Sequence, residues 1–301
     1  MISIIVCSRN KILPKSFIEN INSTIGVNYE IITIDNSENK YSIFSAYNQG
    51  FSLSKNPYLC FLHEDVKFHS MDWGEKLIAH LNIANVGIVG LAGGDVMTRV
   101  PASWSAYSPS VNILQSDKSG RKATEVIKSP LGFSQSRKSA VLLDGVFLGM
   151  KRELMEILKF DESIGGFHGY DFDISLQAYD LGRENFVIYD ILLEHFSRGV
   201  PDMNYYRNLI VVFKKWEQKL PILGKSVLHF QSADVKKMEE KMFHILIKRM
   251  ARKGFSTHEI INEAAYYNQR IGTLKAMKMV KHIKSKLFFV RIMSCPKFLF
   301  R

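Results

Sequence analysis

Short runs of apolar residues alternate with helix-like stretches through the first half of the chain. Apolar residues in these runs are mostly consecutive and do not alternate with polar ones, which is typical of strands buried on both faces. We predict strands over Ile2–Cys7, Glu30–Ile34, Tyr58–Leu62 and Val86–Leu91, and helices over Ser16–Thr24, Ser42–Ser54 and Trp73–Asn82. This order predicts an α/β fold, with a mostly parallel sheet flanked by helices.

The next stretch, Gly93–Ala140, is rich in Gly, Ser, Pro, Lys and Arg and has little periodicity. So long an aperiodic stretch predicts a functional loop or partial disorder. Regular structure resumes at Val141–Gly145. Further along, we predict helices over Lys151–Leu158 and Asp171–Leu181 and a last strand over Asn185–Tyr189.

Composition limits the class of protein. With 301 residues, 46% of them hydrophobic, the chain can bury one large core, or one core and an appendage. Its cysteines, Cys7, Cys60 and Cys295, are odd in number and far apart, which favours a reducing, cytoplasmic location. Met1–Val6 lacks the basic start and cleavage site of a signal peptide, and no apolar run reaches the roughly 18 residues of a membrane span.

Charge divides the chain near Gly199–Pro201. Residues 1–201 carry 19 Lys+Arg and 22 Asp+Glu, a net −3, whereas residues 202–301 carry 21 and 7, a net +14. The two values sum to the +11 of the whole chain. We therefore predict a first domain over residues 1–201 and a helical, basic C-terminal region over residues 202–301.

A group of polar side chains ends the third predicted strand. His63, Glu64 and Asp65 follow the uncharged run Tyr58–Leu62 directly. Ligands of a doubly wound sheet bind at the carboxyl ends of its strands, so these residues are candidates for an ion and phosphate site. Carboxylate oxygens favour Mg²⁺ or Mn²⁺, and the imidazole favours Mn²⁺. Taken alone, the group is equally consistent with a strand capped by surface acids.

Further polar residues follow other predicted strands or begin helices. They are Asp35, Asp144, Asp171 with Asp173, and His195. Any one has an ordinary interpretation, since Asp171 alone could be the N-cap of its helix. Their coincidence at strand and helix ends favours a functional site. His168 is a candidate second base, although a packing role is the commoner one for such a histidine, and Arg198 could neutralise a phosphate or simply be solvated.

The combination of motifs resembles the family 2 glycosyltransferases with the GT-A fold, in the branch that has His-x-Asp in place of Asp-x-Asp. The resemblance covers about residues 1–220, and the number, order and spacing of the motifs make it specific. The motifs are Ile2–Val6, Ile34–Ser37, Asn48–Gly50, Phe61–Asp65, Leu143–Gly145, Tyr170–Asp173 and Glu194–His195.

The resemblance implies roles for individual residues. Asp65, with His63 near it, would bind a divalent Mn²⁺ or Mg²⁺ ion, and His195 would complete its ligands. Asp171 would be the catalytic base that deprotonates the acceptor hydroxyl. Replacing the first aspartate by His63 removes a negative charge, which leaves open the choice of ion, the metal affinity and the alternative of a weak or metal-independent site. The residues expected to bind the donor are Ser8, Arg9, Asn10, Asp35, Glu64, Asp144 and Gly145.

The activity implied is transfer of a sugar from a nucleoside-diphosphate donor, a UDP- or GDP-sugar, to a glycan or lipid-linked acceptor in cell-surface polysaccharide synthesis, with inversion. Two alternatives stay open. One is a nucleotide-sugar-binding or scaffold protein of the same fold that has lost catalysis, and the other is a sugar nucleotidyltransferase. The basic C-terminal region has no recognised nucleic-acid-binding motif, so we expect no nucleic-acid partner.

The C-terminal tail predicts attachment to the inner face of the cell membrane. Between Lys275 and Arg301 there are eight basic residues and no acidic one. A helical apolar stripe runs from Ala276 to Val290, with Lys278 and Lys281 on the opposite side, which is typical of an interfacial helix. The alternative is a basic helix packed on the first domain.

Removing residues 275–301 should therefore abolish sedimentation with anionic vesicles and leave transfer to a soluble acceptor unchanged, because the apolar stripe and its lysines supply the lipid affinity. Vesicle sedimentation of the full and truncated chains measures this. Continued binding, or unfolding, of the truncated chain would contradict the prediction.

Overall fold

The structure is a computed structural model, and it describes residues 1–116, 124–125, 136–197 and 201–272. The chain forms two compact units. The first contains Met1–Met97, Ser103–Val200 and Ile222–Leu228, and the second contains Thr98–Ala102, Pro201–Pro221 and the chain from His229. Thr98–Ala102 precedes the boundary predicted near residue 201 but belongs to the second unit, and Ile222–Leu228 follows it but belongs to the first. The functional division predicted at that boundary stays a prediction.

The bounds of the elements are as follows. The strands are β1 (Ile2–Ser8), β2 (Tyr29–Asp35), β3 (Tyr58–Leu62), β4 (Val66–Phe68), β5 (Val86–Gly90), β6 (Ala92–Gly94), β7 (Val96–Met97), β8 (Pro109–Val111), β9 (Ile113–Gln115), β10 (Thr124–Glu125), β11 (Arg137–Ala140), β12 (Leu142–Leu143), β13 (Phe147–Lys151), β14 (Glu184–Ile188), β15 (Leu193–His195) and β16 (Ile222–Leu223). The helices are α1 (Lys15–Thr24), α2 (Ile43–Leu53), α3 (Trp73–Leu81), α4 (Arg152–Ile157), α5 (Tyr170–Asp180), α6 (Met203–Lys215), α7 (Ser232–Arg252) and α8 (Thr257–Ile271), with short 3₁₀ turns at Trp104–Ala106, Glu217–Lys219 and Lys225–Val227.

A seven-stranded sheet forms the centre of the first unit, in the order β11-β14-β5-β13-β3-β1-β2. Strand β1 pairs in parallel with β2 and β3, and β14 pairs in parallel with β5. Strand β13 lies antiparallel between β3 and β5, and β11 is antiparallel to β14. Strands β1, β2, β3, β5 and β14 therefore run in one direction, and the predicted mostly parallel α/β sheet is confirmed.

Both faces of the sheet are covered at its centre, which explains why strands β1, β3, β5 and β13 are mostly apolar and buried. One core cluster contains Ile4 and Phe147 with Trp73 of α3, whose indole stacks on Phe68 at 4.1 Å between ring centroids. The other contains Leu148 with Tyr47 of α2. Consecutive residues of β13 thus enter opposite cores, as the alternation of side chains along a strand requires.

The stretch Gly93–Ala140 differs from the prediction of one long loop. Its described part contains short strands, which form small sheets in the orders β12-β6-β8 and β10-β9-β15-β4. The strands of these small sheets are two or three residues long, too short to show a period. Strand β6 also lies close to β12, since a Cβ at Gly93 would be 2.4 Å from the Leu142 carbonyl oxygen. Strand β13 was also not predicted, because Lys151 was taken as the start of a helix.

The described part of the C-terminal region is mainly helical. Helices α7 and α8 each begin with a capping box, formed by Gln231 with Asp234 and by Ser256 with Glu259. The tail from Lys275 to Arg301 and its predicted amphipathic helix lie outside the described residues. Within the residues that the structure describes, no helix combines the length and apolar character needed to cross a membrane.

Candidate active site and metal centre

The turn after β1 is held by one carboxylate. Glu64 accepts hydrogen bonds from the Ser8 hydroxyl, from the Arg9 backbone N–H at 3.1 Å and from the Asn10 side-chain amide at 3.3 Å. The Arg9 Nε also lies 3.3 Å from Glu64 Oε1. Glu64, one of the residues predicted to bind the donor, therefore contacts this turn, through the side chains of Ser8 and Asn10 and the backbone N–H of Arg9.

Asp35 ends β2 directly beside this turn. It is the register partner of Ser8 in the parallel β1–β2 pair, and its side chain is exposed. The backbone N–H of Ser37 donates to Asp35 Oδ1 at 3.0 Å, and hydrogen bonds from Ser37 hold the pKa of Asp35 below its ordinary value. An ionised carboxylate thus lies at the same edge of the sheet as the Ser8–Asn10 turn.

His63, Asp65 and His195 come together because three strand ends meet. His63 follows β3, Asp65 precedes β4, and β15 pairs antiparallel with β4 so that His195 is the register partner of Val66. The distance from Asp65 Oδ1 is 3.4 Å to His195 Nε2 and 4.0 Å to His63 Nδ1. One ligand atom from each of the three residues lies within 4.8 Å of the others.

These three residues fit a divalent ion. Asp65 Oδ2 is buried and has no hydrogen-bond partner among the described residues, although a buried oxygen is normally satisfied. Burial raises the pKa of Asp65, but hydrogen bonding and charge attraction from His195 outweigh burial and hold that pKa well below its usual range. Burial, and secondly His195, lower the pKa of His63, so its ring is neutral and can be a ligand.

Tyr170 and Gly145 connect this cluster to the predicted base. The Tyr170 hydroxyl lies 2.9 Å from His63 Nε2 and donates to the Gly145 carbonyl at 3.1 Å. The N–H of Gly145 donates to Asp171 Oδ2 at 3.1 Å. A Cβ at residue 145 would lie 2.0 Å from the Tyr170 hydroxyl oxygen, so only glycine fits there.

Asp171 lies in the first turn of α5 and is not the N-cap of this helix. The N-cap of α5 is Gly169, with φ of 82°, so the alternative interpretation of Asp171 as N-cap is wrong. The Asp171 residue is half-buried and stays accessible to a substrate. Burial, and secondly the charge of Asp144, raise the pKa of Asp171 to about 7, where it can exchange a proton at neutral pH.

Asp144 is held in place by an aromatic side chain that the sequence did not assign. The Trp104 indole N–H donates to Asp144 Oδ2 at 2.8 Å, and the Val146 N–H donates to Oδ1 at 3.0 Å. Sequence reasoning gave no role to Trp104, or to Tyr170, which it included only as part of the motif Tyr170–Asp173. Their only signals were an isolated tryptophan among small polar residues and a tyrosine next to Asp171.

The geometry of the site assigns no role to His168, the candidate second base, or to Arg198, the candidate for neutralising a phosphate. His168 is half-buried in the loop before α5, and its role as base or packing residue stays open. Arg198 lies outside the described residues.

The α/β sheet thus has a half-buried carboxylate, Asp171, and the cluster of His63, Asp65 and His195 beside the ends of its strands, where ligands bind in sheets of this kind. The chain belongs to the glycosyltransferase-like family, whose model matches residues 3–195. This membership and the mostly parallel, helix-flanked sheet confirm the predicted GT-A fold class.

Comparison with other proteins adds little detail. No curated protein matches the chain. Among solved structures, GalNAc-T7 with UDP, GalNAc and Mn²⁺ is 13% identical with a TM-score of 0.49, over 83% of this chain and 56% of that one, so the chain spans about half its length. The mannosyltransferase PcManGT from Pyrobaculum calidifontis, in complex with GDP-Man and Mn²⁺, is 12% identical with a TM-score of 0.48, over 94% of this chain and 84% of that one.

We expect Asp65→Ala to abolish Mn²⁺ binding, because the substitution removes the only carboxylate of the three-residue cluster. Electron paramagnetic resonance titration of Mn²⁺ measures this without a donor or an acceptor. Glu75→Ala, which removes an exposed carboxylate on α3, is the matched control and should bind Mn²⁺ as the wild type does. Unchanged Mn²⁺ affinity in Asp65→Ala would remove Asp65 from the metal site.

We expect Asp171→Asn to lower the turnover number by about 10² or more with little change in donor affinity, because the amide cannot accept the acceptor's proton. Wild-type turnover should rise with pH through about 7, as Asp171 ionises. Asp180→Asn, at the exposed end of the same helix, is the control. Near-normal turnover in Asp171→Asn would exclude this residue as the base.

The same carboxyl makes stability depend on pH. The folded protein keeps a proton on Asp171 up to about pH 7, whereas the unfolded chain releases it near the ordinary pKa of 3.8. Between these values the folded state binds more protons, so the free energy of unfolding should fall as pH rises. Urea unfolding across this range should show a flatter dependence for Asp171→Asn, and an identical slope in both proteins would contradict the raised pKa.

Proposed function

We propose that the protein transfers a sugar from a UDP- or GDP-sugar to a hydroxyl group of a glycan or lipid-linked acceptor, in cell-surface polysaccharide synthesis. Family membership supports glycosyl transfer, and the site supports a nucleoside-diphosphate donor. The observation that carries the proposal is the continuous hydrogen-bonded link from Asp171 through Gly145 and Tyr170 to His63, which holds a base and a metal ligand beside each other.

The donor would lie along the carboxyl edge of the sheet. Backbone groups of the Ser8–Asn10 turn and the Asp35 carboxylate would bind the nucleoside, and Arg9 would add a positive charge near the diphosphate. Arg9 is largely exposed, with 69% of its side-chain surface accessible beside Glu64, so it can reach a ligand. Asp144 would contact the transferred sugar or the acceptor, in the orientation that Trp104 sets.

His63, Asp65 and His195 would hold Mn²⁺ or Mg²⁺. When bound, the ion supplies positive charge against the diphosphate as the glycosidic bond breaks. Two imidazole nitrogens and one carboxylate favour Mn²⁺ over Mg²⁺, since Mg²⁺ is usually bound through oxygen atoms alone. On this proposal, His63 in place of an aspartate would favour Mn²⁺ and would keep a site of three ligands.

Asp171 would act on the acceptor. Its carboxylate takes the proton of the acceptor hydroxyl while the hydroxyl oxygen forms a bond to the anomeric carbon of the sugar. The bond from that carbon to the diphosphate oxygen breaks, and the nucleoside diphosphate leaves with the electron pair. A single displacement of this kind inverts the anomeric configuration, in agreement with the inversion implied by the family resemblance.

A two-stage experiment tests the proposal. UDP, GDP and their sugars should raise the melting temperature in the presence of Mn²⁺ if they bind only the folded protein, which identifies the donor before any acceptor is known. Analysis of the products with the identified donor then separates the alternatives. A free nucleoside diphosphate released from the nucleotide sugar supports glycosyl transfer, whereas pyrophosphate released from a nucleoside triphosphate and a sugar 1-phosphate indicates a nucleotidyltransferase.

The non-catalytic alternative predicts a different pattern. A binding or scaffold protein would show the rise in melting temperature with no product in the presence of any acceptor, and Asp171→Asn would leave its behaviour unchanged. If no nucleoside diphosphate or nucleotide sugar raises the melting temperature, the donor assignment is wrong.

A further inference from the structure

The Tyr170 hydroxyl has one proton. The Tyr47 hydroxyl also interacts with it and carries a proton of its own to donate, so the Gly145 carbonyl and His63 decide where the Tyr170 proton goes. The Gly145 carbonyl oxygen, 3.1 Å away, can only accept a hydrogen bond. His63 Nε2, 2.9 Å away, can either donate or accept. Because the proton goes to Gly145, where a buried carbonyl would otherwise lack it, the contact with His63 requires a proton on Nε2.

The opposite nitrogen of His63 is then unprotonated. In the neutral ring only one nitrogen carries hydrogen, so Nδ1 keeps its lone pair. Nδ1 faces Asp65 Oδ1 at 4.0 Å, which is too long for a hydrogen bond and leaves space between the two ligands. The backbone N–H of His63 donates to the Val146 carbonyl at 3.2 Å, which fixes the position of the main chain.

We propose that Tyr170 is a positioning residue that holds His63 as its Nε2–H tautomer and so presents Nδ1 to a divalent ion shared with Asp65 and His195. This inference rests on the metal site of the proposed function. A hydrogen bond to the outer nitrogen of a metal-binding histidine fixes both the tautomer and the ring orientation, and its loss typically lowers metal affinity 10–100-fold.

The surroundings of Tyr170 make it suitable for this role. Its ring is buried and makes edge contacts with Phe44 and Tyr47, at 6.2 and 5.5 Å between ring centroids. Tyr170 is also the first residue of α5, directly before Asp171. The Tyr170 hydroxyl donates to the carbonyl of Gly145, and the N–H of Gly145 donates to Asp171. One helix start therefore aligns the metal ligand with the base.

The test compares Tyr170→Phe with Tyr58→Phe in the full chain. Both substitutions remove one hydroxyl and keep the ring. Tyr58 donates to Asn82 at 2.8 Å from the opposite end of β3, far along the strand from His63. We expect Tyr170→Phe to weaken Mn²⁺ binding about 10–100-fold, measured by electron paramagnetic resonance titration, and Tyr58→Phe to leave the Mn²⁺ affinity unchanged. Equal Mn²⁺ affinity in wild type and Tyr170→Phe would overturn the proposal.

A second measurement needs no metal. Nitrogen-15 spectra of histidine-labelled protein distinguish the two neutral tautomers, and the signal of His63 is the one lost in His63→Gln. In the metal-free wild type we expect the Nε2–H form, and in Tyr170→Phe a mixture of both forms. An Nδ1–H form in the wild type overturns the proposal even if Tyr170→Phe does not fold.

The two measurements separate this inference from the proposed function. If the wild type binds no Mn²⁺ but His63 is the Nε2–H tautomer, the metal assignment fails and the role of Tyr170 in fixing the histidine stands. If the wild type binds Mn²⁺ and the tautomer is the wrong one, the inference alone fails.

Discussion

The hydrogen bonds at Gly145 are the interaction on which the rest of the site depends. The carbonyl accepts from Tyr170 and the N–H donates to Asp171, so two consecutive residues at the start of α5 are tied to one residue between β12 and β13. A side chain at Gly145 would collide with the Tyr170 hydroxyl. The absence of that side chain is what allows the helix start to approach the sheet.

The pKa values of two carboxyl groups in the site, Asp65 and Asp171, are shifted in opposite directions. Near His63 and Asp65, the low pKa values keep the imidazole neutral and the carboxylate charged, which are the forms that bind a cation. Around Asp171, burial and Asp144 raise the pKa to about 7, the value that suits a base at neutral pH. Opposite shifts of two carboxyl pKa values within one site allow one to bind a metal and the other to exchange protons.

Much of the fold could be predicted from the pattern of apolar residues along the sequence. Strands β1, β2, β3 and β5 were predicted because long apolar runs on a two-sided sheet have a strong signal. Strand β13 was missed, although its antiparallel position lies between β3 and β5 at the centre of the sheet. Its sequence runs directly into α4, and no turn residue separates the two elements. The short strands from β6 to β9 were missed because a few residues show no period.

By itself, the sequence determined the α/β class and the side chains available for chemistry, since His63, Asp65 and Asp171 follow from hydrophobic pattern and from motifs at the ends of elements. The tertiary structure alone decided which of these side chains lie in contact with one another. The pairing of β15 with β4 brings His195 to Asp65 across 130 residues of chain, and Tyr170 reaches His63 across 107. The physical reason is that hydrogen-bond direction and pKa depend on neighbours in space, which only the folded sheet supplies.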